Sequence, residues 1–169
     1  KLVKIKEDAF VNKDLSFNVL NVEAYDADLT GFGGGFASGD YGYLLPDKNS
    51  DGYHGKVVRF NLNNFTVVSM LDVAENDSNL TGFSGGFAAD GYGYLVPFNN
   101  GDYHGNVVRF DLATFTVVES LDLEAYDADL TSFGGGFASG DYGYLVQKYN
   151  GDHHGKVVRF NLNNFTVVS

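Results

Sequence analysis

Three histidines recur at a fixed interval of about fifty residues, His54, His104 and His154, each opening the run His-Gly-x-Val-Val-Arg-Phe. Histidine is a common metal ligand, so three of them invite a zinc site. Zinc needs its ligands about 2 Å from one ion. Equivalent residues in successive repeats lie a whole repeat apart, so these three cannot share a metal, and the adjacent pair His153-His154 is not enough by itself. Each histidine instead sits in a Gly/Asn/Asp-rich hairpin behind Tyr53, Tyr103 or His153. Turn structure or ligand contact is the expected role there.

A second pattern is acidic. Asp26-Ala27-Asp28, Asp77-Ser78-Asn79 and Asp127-Ala128-Asp129 repeat Asp-x-Asp/Asn at equivalent places. Calcium takes six to eight hard oxygen ligands, which closely spaced carboxylates supply. Calcium is therefore the one cofactor alternative, although the runs are too short for a recognised calcium loop and lack the later bidentate glutamate. The competing reading is a solvated turn in which the first aspartate caps its own backbone.

Two glycine-rich runs imitate catalytic motifs. Gly82-Phe83-Ser84-Gly85-Gly86 spells a nucleophile elbow, but that motif needs a strand-to-helix turn and a His/Asp pair. No helix follows, and the equivalents of Ser84 are Gly33 and Gly134. Gly31-Phe32-Gly33-Gly34-Gly35 lacks the Lys-Ser/Thr ending and the helix N-terminus of a phosphate loop. Close backbone approach explains such glycines better. Glu75 and Glu119 are isolated acids without an acid/base mate. No catalytic residue is assigned, and the chain reads as a non-enzyme.

The only arginines, Arg59, Arg109 and Arg159, recur once per repeat amid valines. A buried guanidinium must find a partner, so each is expected to be buried in a structural bridge to a carboxylate. Glycosylation sequons stand at Asn64, Asn76, Asn79 and Asn164. They operate only in a secreted protein and tilt the reading towards an extracellular or cell-surface glycoprotein.

These residues are set in 169 positions carrying 22 acidic and 11 basic side chains, a formal charge of −11. Such a field repels nucleic acid and anionic membrane surfaces, so neither is an expected partner. With no cysteine there are no disulfides or thiolate sites. No apolar run approaches the roughly 20 residues of a membrane helix. Lys1–Asp8 lacks an initiator methionine and a signal-peptide core, and reads as an internal start.

The elements that position these residues follow from the repeat. Residues 20–70, 71–120 and 121–169 form three units, and residues 1–19 look like the second half of another. Each unit reads as four short strands, in the first unit Leu29–Ala37, Tyr41–Leu45, Lys56–Leu62 and Phe65–Val73. Bulky residues alternate at period two between Gly, Asn and Asp punctuation. Four strands per repeat of this length is the arithmetic of a propeller blade. The predicted fold is all-β, with tandem four-stranded blades; an open β-solenoid is the alternative.

The runs Ala89-Asp90-Gly91-Tyr92-Gly93-Tyr94-Leu95-Val96, Val107-Val108-Arg109-Phe110-Asp111-Leu112 and Phe115-Thr116-Val117-Val118 resemble propeller repeats built on a Tyr-Val-Thr-Asn signature. The double glycines Gly34-Gly35, Gly85-Gly86 and Gly135-Gly136 are faintly similar to kelch blades. The unit also resembles long tandem arrays in proteins of microbial eukaryotes. The resemblance implies a scaffold and carries no activity.

Propellers typically close with four to eight blades, so three and a half call for further repeats or further copies as partners. In a propeller the Asp-x-Asp/Asn loops and the Tyr/His hairpins share one face, with Asn64 and Asn164 on the other. The first expectation is a non-enzymatic structural or adhesive array; the second is a carbohydrate- or calcium-binding module using the loops of that face.

Overall fold

A computed structural model describes residues 18–168. The partial unit assigned to residues 1–19 therefore falls almost wholly outside the described residues. Alternating β-branched and aromatic residues broken by glycine turns favour strands, and twelve form among the described residues. The first unit holds β1 (Phe32–Ser38), β2 (Tyr41–Pro46), β3 (Lys56–Asn61) and β4 (Thr66–Asp72), whose last two residues run past the unit boundary expected after residue 70, as the end of the second unit's last strand runs past 120. The second holds β5 (Phe83–Ala89), β6 (Tyr92–Pro97), β7 (Asn106–Asp111) and β8 (Thr116–Asp122). The third holds β9 (Phe133–Ser139), β10 (Tyr142–Gln147), β11 (Val157–Asn161) and β12 (Thr166–Val167). Two short 3-10 turns, Val22–Ala24 and Val73–Glu75, are the only helical pieces among the described residues.

Each unit is one antiparallel sheet with its strands in chain order, and every ladder among the described residues stays within its own unit. That arrangement is a propeller blade. The innermost strands β1, β5 and β9 lie side by side, most tightly at Gly33, where a Cβ would stand 2.5 Å from the Phe83 carbonyl oxygen. A Cβ on Gly34 would stand 3.2 Å from the Cα of Gly85 in the next blade.

Two strand starts differ from the sequence expectation, and the strand ends shift by one residue. β1 begins at Phe32, because Leu29–Gly31 belong to the entry loop: the Leu29 amide bonds the Asp26 carbonyl and Gly31 turns at φ +70°. β4 begins at Thr66, because Phe65 closes the β3–β4 turn at φ 56°, as Phe115 and Phe165 do at 57° and 51°. A phenylalanine in the left-handed region is strained. The turn holds it there: its amide bonds the Asn61 carbonyl, while the Asn61 side chain accepts from the Asn63 and Asn64 amides.

The core lies between blades. Tyr43, Leu45 and Val57 of the first blade pack under Phe83, Phe110 and Phe115 of the second. Phe87, Tyr94 and Val107 of the second pack under Phe133, Phe160 and Phe165 of the third. Within each blade the phenylalanine of the first strand stacks on the tyrosine of the second, with centroids 4.9, 5.0 and 5.1 Å apart. Burying such rings contributes roughly 1.5–3 kcal/mol each, so the contacts between blades stabilise the blades themselves.

Candidate functional site

The loops ahead of β1, β5 and β9 lie beside the β2–β3, β6–β7 and β10–β11 hairpins on one face. Asn49 donates to the Asp28 carbonyl, Asn100 to that of Asn79 and Asn150 to that of Asp129. Asp26, Asp77 and Asp127 each accept the amide two residues on, at 3.0, 2.9 and 3.0 Å. Each of these aspartates thus caps its own turn. The loop carboxylates also meet a lysine. Lys56 Nζ stands 3.0 Å from Asp28 and 3.8 Å from Asp26, and Lys156 stands 3.6 Å from Asp129 and 3.7 Å from Asp127. The Asp28 carboxylate holds the Lys56 ammonium above its usual range. In the second unit the lysine is Asn106 and the second aspartate is Asn79, so acid and base are replaced together. This pairing makes the loops lysine–aspartate bridges. Among the described residues no group of three or more His, Asp or Glu side chains gathers as metal ligands do.

The histidines pin the same loops. His54 Nε2 lies 3.2 Å from the Gly31 carbonyl while Nδ1 accepts the Lys56 amide at 3.3 Å. His104 repeats this with Gly82 and Asn106, at 3.2 and 3.4 Å. An Nδ1 that accepts requires the proton on Nε2, so each ring is a neutral donor and acceptor at once. Burial pushes the His104 pKa down. Their carbonyls reach the next blade: His54 accepts from Gly82 and His104 from Ser132. His154 instead bonds the Asn150 side chain at 2.6 Å.

The tyrosine positions diverge. Tyr53 lies under Lys48 Nζ at 4.8 Å. Tyr103 joins a run of rings across two blades, 6.2 Å from Phe98 and 5.9 Å from Tyr149, which lies 5.0 Å from His153. Lys148 caps Phe98 at 5.1 Å. Sequence reasoning missed Phe98, Lys148 and Tyr149; their one signal was their place in the hairpin behind Pro97 or Gln147. All four sequon asparagines are exposed, Asn76 and Asn79 on this face and Asn64 and Asn164 on the turns at the other end of the blades. Ser84 donates its hydroxyl to the Phe133 carbonyl at 2.6 Å, which ties the second blade to the third.

The arginines correct the carboxylate expectation. Among the described residues only Arg109 pairs with an acid, Glu119. Arg59 faces Ser69 at the equivalent β4 position and donates to its hydroxyl at 3.1 Å, and Arg159 is exposed. What recurs is a carbonyl of the next blade: Arg59 donates to Leu112 at 3.1 Å and Arg109 to Leu162 at 2.8 Å. Each guanidinium is also sandwiched between rings. Arg59 lies 5.2 Å from Tyr41 and 4.5 Å from Phe115 of the next blade; Arg109 lies 4.9 Å from Tyr92 and 4.7 Å from Phe165. The planar fork of arginine suits both contacts, which lysine would not reproduce. Among the described residues Arg159 keeps only its own-blade ring, Tyr142, at 4.8 Å.

No family model matches the chain, and no curated protein sequence matches it. Solved structures do. The chain is similar to hydrazine synthase of Kuenenia stuttgartiensis, with TM-score 0.61 and 13% identity over 80% of this chain and 35% of that one. It is also similar to the WD40 domain of Neurospora crassa Pan2, with TM-score 0.53 and 16% identity over 80% and 37%. A third is dihydro-heme d1 dehydrogenase NirN, with TM-score 0.54 and 13% identity over 80% and 26%. The chain thus spans 26–37% of these proteins' length. At such identities the likeness defines a class, a scaffold of repeated propeller blades, and goes no further. Two of these neighbours are enzymes by name and one is a WD40 domain.

Proposed function

We propose that this chain is a non-enzymatic structural repeat module, working outside the cell, whose blades join further blades of its own kind. Within the propeller class its repeat resembles the Tyr-Val-Thr-Asn type and, through its double glycines, is faintly similar to kelch blades. The observation that carries the reading is the sameness of the two blade junctions: His carbonyl, arginine sandwich and buried tyrosine recur at both. Residues singled out by sequence as possible reactants are engaged in holding loops and blades, as the histidines and Ser84 illustrate. The exterior location rests on the four exposed sequons. Expression through a secretory pathway should give a mobility shift that peptide N-glycosidase removes; an unmodified secreted chain would refute the glycoprotein reading.

One observation favours a second reading, carbohydrate binding. The run Phe98, Tyr103, Tyr149 and His153 places aromatic faces on the loop side, where a rigid scaffold usually presents ligands. A glycan array blank for the wild type removes this alternative and leaves the structural one.

A further inference from the structure

The two flanks of the described chain carry complementary halves of its interior junctions. On the trailing flank, the third blade offers Phe137, Tyr144, Val146, Val157 and Arg159. Their equivalents Phe87, Tyr94, Val96, Val107 and Arg109 lie beneath the third blade. Val157 is 58% exposed where Val107 is 0%, and Phe137 51% where Phe87 is 8%. On the leading flank, the first blade offers Phe60, Phe65 and the Leu62 carbonyl. Leu62 is 44% exposed where Leu162, its equivalent inside a junction, is 3%.

We propose that these flanks are the two sides of one interface, and that a second copy of this chain seats its first blade on the third blade of the first. The proposal rests on the structural-module reading and names its partner. Arg159 then lies between Tyr142 and Phe65 of the partner subunit and donates to the carbonyl of Leu62 of the partner subunit. Arg109 already does the same between Tyr92 and Phe165, towards Leu162. The choice of occupant follows from continuity with the junctions inside the chain. An apolar partner of another kind would cover the valines, but it would not bring a ring and an acceptor carbonyl in register with one guanidinium. The leading flank brings both. Such a contact is head-to-tail, so it closes a ring or extends a filament according to the rotation between copies. Two copies supply six described blades, within the four to eight that propellers use. Each copy carries a charge of −11, so association strengthens as salt screens the mutual repulsion.

The test is sedimentation equilibrium of the full chain between about 1 and 100 μM, with two variants. Arg159→Glu blocks the trailing flank. Phe65→Asn blocks the leading one, and asparagine suits the left-handed backbone there. Both positions are exposed in the single chain, so both variants should keep the wild-type circular dichroism. The expected result is wild-type association, weakened at least about tenfold in each variant, as loss of an interface anchor does. An equimolar mixture of the two should regain a dimer, because one intact flank remains on each. Wild-type association that neither variant weakens, or a mixture that stays monomeric, overturns this interface and leaves the module reading standing. A wild type monomeric at the highest concentration overturns the interface together with assembly of copies.

Discussion

Truncating Arg109 to alanine removes the arginine sandwich and its carbonyl bond from one blade junction. The guanidinium is buried, lies between Tyr92 and Phe165, and donates to the Leu162 carbonyl at 2.8 Å. Two cation–π contacts in a partly desolvated setting contribute about 1 kcal/mol each. The charge-assisted bond to the carbonyl contributes about 1.5–3 kcal/mol. Glu119, left alone, is half-exposed and rehydrates, so losing that ion pair adds less than about 1 kcal/mol. The expected loss is therefore about 3.5–6 kcal/mol. Arg159→Ala removes one ring contact from an exposed side chain and should cost about 0.5 kcal/mol. Arg59→Ala, which loses the same sandwich and carbonyl bond but faces a serine in place of the acid, falls between them. Urea unfolding at about 1 μM, extrapolated to water, measures all three differences. The low concentration keeps copies apart, so that Arg159 is read in the single chain. If Arg109→Ala and Arg159→Ala lose the same stability within 0.5 kcal/mol or so, the arginine is not a staple between blades and the reasoning fails.

Two further outcomes follow from the loop face. Burial lowers the His104 pKa below the unfolded value of about 6.5, so the unfolded chain binds the proton more readily. Stability should be full above that value and fall as pH drops through it towards the folded pKa; a melting temperature whose change between pH 7.5 and 5.5 is untouched by His104→Asn would contradict this. Because Lys56 and Lys156 already answer the loop aspartates, millimolar calcium or chelator should leave the thermal melt where it is. A calcium-dependent rise, lost on Asp26, Asp28, Asp127 and Asp129→Asn, would replace the bridge reading with a ligand site.

What could be read from the sequence was whatever the chain settles within a few neighbours. Period-two runs such as Tyr41–Leu45 and Lys56–Asn61, bracketed by Gly and Asn, make strands and turns wherever they stand, because strand alternation and turn chemistry are local. A fifty-residue period then dictates one sheet per unit. The aspartate caps were legible for the same reason, since each aspartate bonds the amide two residues on. The arginine partners were not. The Leu112 carbonyl lies 53 residues from Arg59, and only the stacking of one blade on the next brings it within 3.1 Å. Burial was equally hidden: Arg109 and Arg159 share the run Val-Val-Arg-Phe, yet one is buried and the other exposed because a third blade covers the second. The lysine–aspartate pairs and the aromatic run from Phe98 to His153 likewise join hairpins and loops that touch only once the sheets are formed. Local sequence determines which blade forms, whereas the environment of a side chain on its face is decided by the neighbouring blade.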